Sequence, residues 1–434
     1  MTYDLLIRGA DADLAVTDGV IAALGPDVEG RAREEIDARG LLVLPGIVDA
    51  HVHLNDPGRA HWEGFDTGTA ALAAGGTTCA VDMPLNALPP TIDGAGFDAK
   101  VAAAAGRLHV DIALWGGLVP GDPDRLDELA ARGVVGFKAF MSASGVPEFP
   151  AAADATLFDG MERAAALGLP VAVHAESDAI TAALGARAVA EGRVTVRDYL
   201  SSRPVVAETE AIGRALAIAE VTGCALHVVH VSTARGVALV AAARARGVDA
   251  TCEVCPHHLV LDADDAERLG AIAKCAPPLR PAAEVAALGE AVERGDVDWI
   301  ATDHSPAPAD LKQGDDALRW WGGIAGAQTL LALAFDLLGA DRLPELLAAA
   351  PARRLRLAGK GMLEPGADAD IALLDPAGAW TVAREDLLDR HKLSPFAGRT
   401  LRGRVVRTIL RGRTVAIEGR LAGEPAGRIV HPSG

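Results

Sequence analysis

The 434-residue chain lacks the features that mark membrane, nucleic-acid-binding and disulfide-stapled proteins. No apolar stretch approaches the ~20 residues of a membrane span. The opening residues MTYDLLIRGADADLAV carry no basic-then-apolar secretion signal. Positive charge is in deficit: 41 Lys and Arg stand against 59 Asp and Glu, a formal charge of −18. Such a surface suits neither nucleic acid nor an acidic membrane, so a small molecule is the expected partner. Five cysteines, Cys79, Cys224, Cys252, Cys255 and Cys275, are an odd number in a long chain and are expected to be reduced. Cys252 and Cys255 form a CxxC with no second pair to complete a four-thiolate site. Their segment, DATCEVCPHH, reads as a buried strand and not as the helix start of a redox motif, so both are expected to be small core residues. With half its residues apolar, the chain can bury a large core, and it is expected to be a soluble cytoplasmic protein.

Low-complexity linkers are absent too, and what fills the centre of the chain is a regular alternation. Eight short apolar runs, at residues 46–53, 77–83, 111–118, 133–140, 169–176, 225–232, 249–258 and 297–305, are separated by helix-forming stretches. Stretches such as ETEAIGRALAIAEVTG and GVALVAAARARG close on glycine, a common helix stop. Repeated strand–helix units of this number predict an α/β fold, a (β/α)8 TIM barrel, in preference to an open doubly wound sheet. Residues 1–45 and 358–434 instead alternate apolar and polar residues between turn signals. They predict a small β-sandwich domain made from both ends of the chain, with the barrel, residues 46–357, inserted between its parts.

Polar side chains cluster where the runs end. The first run, in GIVDAHVHLNDPG, carries His51 and His53, which period-2 geometry places on one face of a strand. Run four carries Lys138, run five His174, run six His230 and run eight Asp303. In a barrel these positions share the mouth where catalytic groups of the fold are found. One such histidine alone reads as a strand cap, but four imidazoles and a carboxylate together are good ligands for zinc or a similar divalent ion. Lys138 cannot bind a cation as an ammonium. It is one of six lysines against 35 arginines, and it sits in an apolar strand, GFKAF. Burial favours its free amine, which can add carbon dioxide to form a carbamate with two metal-binding oxygens; the plainer alternative is a lysine paired with a nearby carboxylate.

In order and spacing, DAHVH, GFKAF, VHAES, HVVHVS, CPHH, ATDHSP and GMLEPGADADIALLD resemble the landmarks of the cyclic amidohydrolase family over essentially the whole chain. The resemblance implies two divalent metals, zinc first with cobalt, manganese or iron as alternatives, held by His51, His53, carbamylated Lys138, His174, His230 and Asp303. It implies carbon dioxide as the source of the carbamate, Asp303 as proton carrier, and a homo-oligomer, commonly a tetramer. A full ligand set argues against the family's non-catalytic assembly proteins. Within the family, HLNDPGRAHWEGFDTGTAALAAGGTT, MPLNALPPT, GRVTVRDYLSSRPVVAETEAI, WWGGIAGAQ and RHKLSPFAGRTL resemble the allantoinase branch, implying allantoin as the small neutral substrate. Asn55 stands where dihydroorotases usually have an arginine for their substrate's carboxylate. Ala143 and Gly322 stand where the runner-up dihydropyrimidinases and hydantoinases have a tyrosine and an asparagine. Ala276 stands where relatives often have a serine near substrate, so Asn55 and Ala276 are the candidate substrate contacts. The other histidines, at positions 61, 109, 227, 257, 258, 304, 391 and 431, are read as structural or surface residues; His257 and His304 lie near strand ends, within reach of a supporting role.

Overall fold

Each of the eight apolar runs contains a strand of one closed barrel in the computed structural model, which describes residues 2–433. The strands are Ile47–Val52, Thr77–Asp82, Asp111–Leu114, Phe137–Phe140, Val171–His174, Leu226–Val228, Ala250–Val254 and Trp299–Ile300. After Trp115 the third strand resumes as Gly116–Gly117, and neighbours pair in parallel in chain order. The ring closes where Val52 bridges His304 in parallel and the His53 amide donates to the His304 carbonyl at 2.8 Å. Helices such as Asp154–Ala166, Val205–Thr222 and Ala282–Arg294 cover the outside. Val205–Thr222 stops at Gly223, whose φ of 69° is the left-handed conformation that glycine adopts without strain.

Strand alternation separates two cores. Val171, Val173, Leu226, Val228, Cys252 and Val254 join the layer packed under the helices. Cys79, Val81, Ala113, Ala172 and Trp299 belong instead to a second cluster, inside the barrel. The same period 2 turns Lys138, His227 and Glu253, each flanked by outward residues, toward the interior. All five cysteines are buried and free. Among the described residues, no helix is long and apolar enough to cross a membrane.

Two further sheets lie beside the barrel. One holds Thr2–Arg8, Asp13–Thr17, Val20–Gly25 and Arg31–Asp37; the other holds Leu42–Pro45, Ile371–Thr381, Thr400–Leu410, Arg413–Ile417 and Arg420–Leu421. Leu5, Ile7, Val16 and Ile36 of the first pack on Ile371, Leu373 and Ile409 of the second, which makes a sandwich of strands from both ends of the chain. Met1 and Gly434, the outer limits of the sandwich expected from the sequence, lie outside the described residues.

A buried lysine ties this sandwich to the barrel. Lys360 Nζ meets Asp111 of the third barrel strand at 2.6 Å and Asp368 and Asp370 at 2.8 Å each. Burial opposes its charge, but Asp370 and Asp111 outweigh that and hold the ammonium well above the usual lysine range. Lys360→Met is expected to destabilise the protein by about 3–5 kcal/mol, because it leaves the buried Asp370 without its counter-charge and Asp111 with Arg411 alone. Urea titration checks this through a lower midpoint at unchanged slope; a loss under about 1 kcal/mol, the scale of a surface pair, would show that Lys360 is dispensable.

Candidate metal centre

The structure brings the strand-end residues of the sequence together at one mouth. His51 and His53 leave the first strand with ring centroids 5.4 Å apart. Their Nε2 atoms lie 3.3 and 3.1 Å from the same oxygen, Asp303 Oδ1. Donor atoms of His51, His53 and Asp303 all fall within 4.8 Å of one another. Beside them, His174 Nδ1 faces His230 Nε2 at 3.1 Å, and the His230 and His51 rings are 5.4 Å apart. Lys138 is fully buried, 5.1 Å from the Phe140 ring, and its Nζ has no hydrogen-bond partner. His230 and Asp303 take φ values of 39° and 47°, a region that non-glycine residues occupy only when the surroundings enforce it.

Electrostatics keeps these groups ready to accept a cation. Burial lowers the pKa of His51, His174 and His230, so their rings are neutral at pH 7 and carry free lone pairs. Burial also brings Lys138 down to about 7, against the pull of Glu253 and Asp303, so a large share of it is free amine at neutral pH. For Asp303 burial acts upward, yet the neighbouring His51 and His53 outweigh it and hold the carboxyl below its ordinary range.

Two buried carboxylates, neither of them named as a site residue in the sequence, support the histidines. Glu253 accepts from His51 Nδ1 at 2.5 Å, from His227 Nε2 at 3.1 Å and from Trp299 Nε1 at 2.8 Å. Glu176 accepts from His174 Nε2 at 2.9 Å and is gripped by the Arg203 guanidinium through Nε at 3.0 Å. These carboxylates fix the ring tautomers, the role commonly played behind metal-ligating histidines. Strand alternation was the available signal for Glu253: in ATCEV it points opposite to Cys252 and Val254. His304 is drawn into the backbone, its Nδ1 accepting from the amides of Gly326 and Ala327 at 3.2 and 3.3 Å. Two other donor clusters occur among the described residues. Asp111, Asp368 and Asp370 enclose the Lys360 ammonium, and the other cluster is Cys255, His257 and His258.

Above the centre lies a cavity of about 340 Å³, a volume suited to a small molecule. His51, His53, His174, His230 and Asp303 form its floor, and Ala143, Ala276, Trp321 and Gly322 are among its walls. Asn55 is buried with φ 61° and is not part of that wall; both its amide atoms lack a hydrogen-bond partner. Tyr199 borders the cavity, but its hydroxyl is committed to the Cys275 carbonyl at 2.7 Å.

Comparison with known proteins accords with this geometry. Residues 42–415 match the model of the amidohydrolase family. The chain is 61% identical to an allantoinase of Rubrobacter xylanophilus, over 99% of this chain and 98% of that one. It is 50% identical to an allantoinase of Solibacter usitatus, over 97% and 93% of the two chains. Among solved structures, the L-hydantoinase (dihydropyrimidinase) of Arthrobacter aurescens superposes with a TM-score of 0.96 at 36% identity, covering 99% of this chain and 100% of that one. A family match spanning barrel and sandwich strands, near-complete overlap with its relatives and a shared barrel leave one conclusion: the chain belongs to the amidohydrolase family.

Proposed function

We propose that this protein is a hydrolase that opens the hydantoin ring amide of allantoin to give allantoate. The observation that carries the choice of substrate is the 61% identity, along 99% of the chain, to a protein named as an allantoinase. The site supports the chemistry. His51 and His53 with Asp303 would hold one divalent ion, and His174 with His230 a second. Carbamylated Lys138 would supply the oxygens shared between them. The fit rests on the donors themselves: neutral imidazoles, a carboxylate, and a buried amine whose Nζ has no partner in the protein. Zinc suits this set, as do cobalt, manganese and iron. Such ions supply Lewis acidity, bringing a water's pKa from 15.7 toward about 7 and polarising the scissile carbonyl.

The protein's own groups do the rest. Asp303 meets both first-strand histidines through Oδ1, which leaves its second carboxylate oxygen to take the proton of the attacking water and return it to the departing ring nitrogen. Glu253 and Glu176 hold the His51 and His174 rings in register during this transfer. The cavity walls orient the substrate and limit water around the scissile bond. The absence of a side-chain hydroxyl at Ala143 and the engagement of the Tyr199 hydroxyl argue against a phenol-assisted hydantoinase site. Assembly as a homotetramer in the cytoplasm belongs to the same proposal. It is supported by the exposed Phe158, Val189, Val206 and Val221 on three outer helices and by the free cysteines.

Purified metal-loaded protein is expected to prefer allantoin over hydantoin, dihydrouracil and dihydroorotate by about 100-fold or more in kcat/KM; preference for dihydrouracil would overturn the substrate choice. Asp303→Ala is expected to lower turnover by at least about 10²–10⁴-fold while retaining much of the bound metal. Elemental analysis beside the assay reads both, and substantial turnover at full metal content would sink the proton-carrier role. The Lys138 amine near pKa 7 gains its nucleophilic form as pH rises. Reactivation of metal-stripped protein by metal, at a fixed concentration of dissolved carbon dioxide, is therefore expected to accelerate through pH 7 and then level off. A rate that falls over that range would exclude carbamylation of this lysine as the limiting step.

A further inference from the structure

We propose that Cys255, His257 and His258 form a separate, sulfur-bearing cation site beside the barrel mouth, selective for thiophilic ions such as cadmium, cuprous or mercuric ion. The three residues follow the seventh barrel strand: Cys255 comes directly after Val254, and both histidines lie in the short helix Pro256–Val260. All three are buried, and they offer one donor atom each within 4.8 Å of one another. Donors bound at roughly 2.0–2.3 Å to one ion lie about 3.3–4 Å apart, so the cluster closes on a cation by about 1 Å or less.

The hydrogen bonding leaves this cluster unsatisfied. His258 Nε2 donates to the Pro277 carbonyl at 3.0 Å, which fixes the tautomer and puts a lone pair on Nδ1. That Nδ1 is buried without a partner, and so is His257 Nε2. Buried polar atoms are nearly always paired, and two orphans beside one thiol make a coordinating set that no protein donor completes. Cys275 Sγ lies 3.9 Å from His258 Nε2, on the ring edge turned to Pro277, and is not among the three donors.

Sulfur sets the selectivity. Burial raises the Cys255 thiol well above its ordinary value, so it is an S–H group at neutral pH. Binding replaces that proton, which leaves to solvent, and forms a metal–sulfur bond; magnesium and calcium, which favour oxygen ligands, have no means of driving this exchange. The centre assigned to His51, His53, His174, His230 and Asp303 contains no sulfur, so a thiolate–metal signature does not arise there.

The test is titration of the purified, natively metal-loaded protein with cadmium. Ultraviolet thiolate-to-cadmium charge-transfer absorption and cadmium bound per chain are followed together. The wild type is expected to take up one equivalent accompanied by the thiolate band, and Cys255→Ser to lose both. His258→Phe, which keeps the thiol and an aromatic ring, is expected to weaken that equivalent about 10–100-fold, and it serves if the serine variant does not fold. Cadmium uptake without a thiolate band, a band that persists in Cys255→Ser, or unaltered affinity in His258→Phe would each overturn the site. None of these readouts depends on turnover, so the proposal stands or falls separately from the allantoin assay.

Discussion

One buried carboxylate organises the barrel mouth. Glu253, on the seventh strand, accepts from His51 at the end of the first, from His227 on the sixth and from Trp299 on the eighth. The His230 amide also points to it at 3.4 Å. Taking such an ion out of water costs several kcal/mol, which only a full set of donors offsets. Burial alone would protonate it, but His51 and His227 outweigh burial and keep the group ionised. The ion in turn draws four strands to a single point and commits His51 Nδ1 to donation, so that the His51 Nε2 lone pair is the one presented beside His53 and Asp303.

The same device recurs on the fifth strand, where Arg203 holds Glu176 ionised and Glu176 takes the Nε2 proton of His174. His174 therefore meets the centre through Nδ1, the atom that faces His230. Two anions buried behind the histidines thus determine which nitrogen of each ring is free. Burial lowers the basicity of the rings, and the anions behind them orient the rings without relying on a charged imidazolium. A neutral, oriented ring keeps a lone pair available, which a protonated ring does not.

Much of the architecture was legible in the sequence because it is written in local periodicity. All eight apolar runs contain barrel strands, since a buried parallel strand needs a short apolar stretch and its crossover needs a helix. His51, His53, His174, His230 and Asp303 stood out because ligand types recur at strand ends. Glu253 did not: one acid inside a run of apolar residues has no repeat to mark it, and its three side-chain donors come from positions 26 to 202 residues away. Glu176 follows His174 within VHAES, yet the guanidinium that gives it purpose arrives from Arg203, just past the helix Val196–Ser202. Asn55 was marked by its position after the histidine pair, and the left-handed turn that buries it with both amide atoms free of a protein partner is a backbone effect that residue type alone does not encode.

The scarcity of lysine acquires a physical meaning once the side chains are placed. Lys100 is buried against Asp82 at 2.5 Å and the Met83 carbonyl at 2.8 Å, and Lys360 is buried among three carboxylates. Lys274 reaches the carbonyls of Leu318 and Trp320, and Lys312 those of Ala271, Trp321 and Gly323. Both brace the segment that carries the cavity's tryptophan wall, a task for which a compact ammonium with three rotatable donors suits converging carbonyls better than a rigid guanidinium fork. Where this chain uses lysine instead of arginine in its interior, the surroundings supply acceptors in close array. Lys138 breaks that rule, since its Nζ is fully buried and has no acceptor at all. An amine enclosed at that cost, next to four imidazoles and a carboxylate, is the interior group for which the protein supplies no acceptor, and the carbamate proposed above would bring its own oxygens.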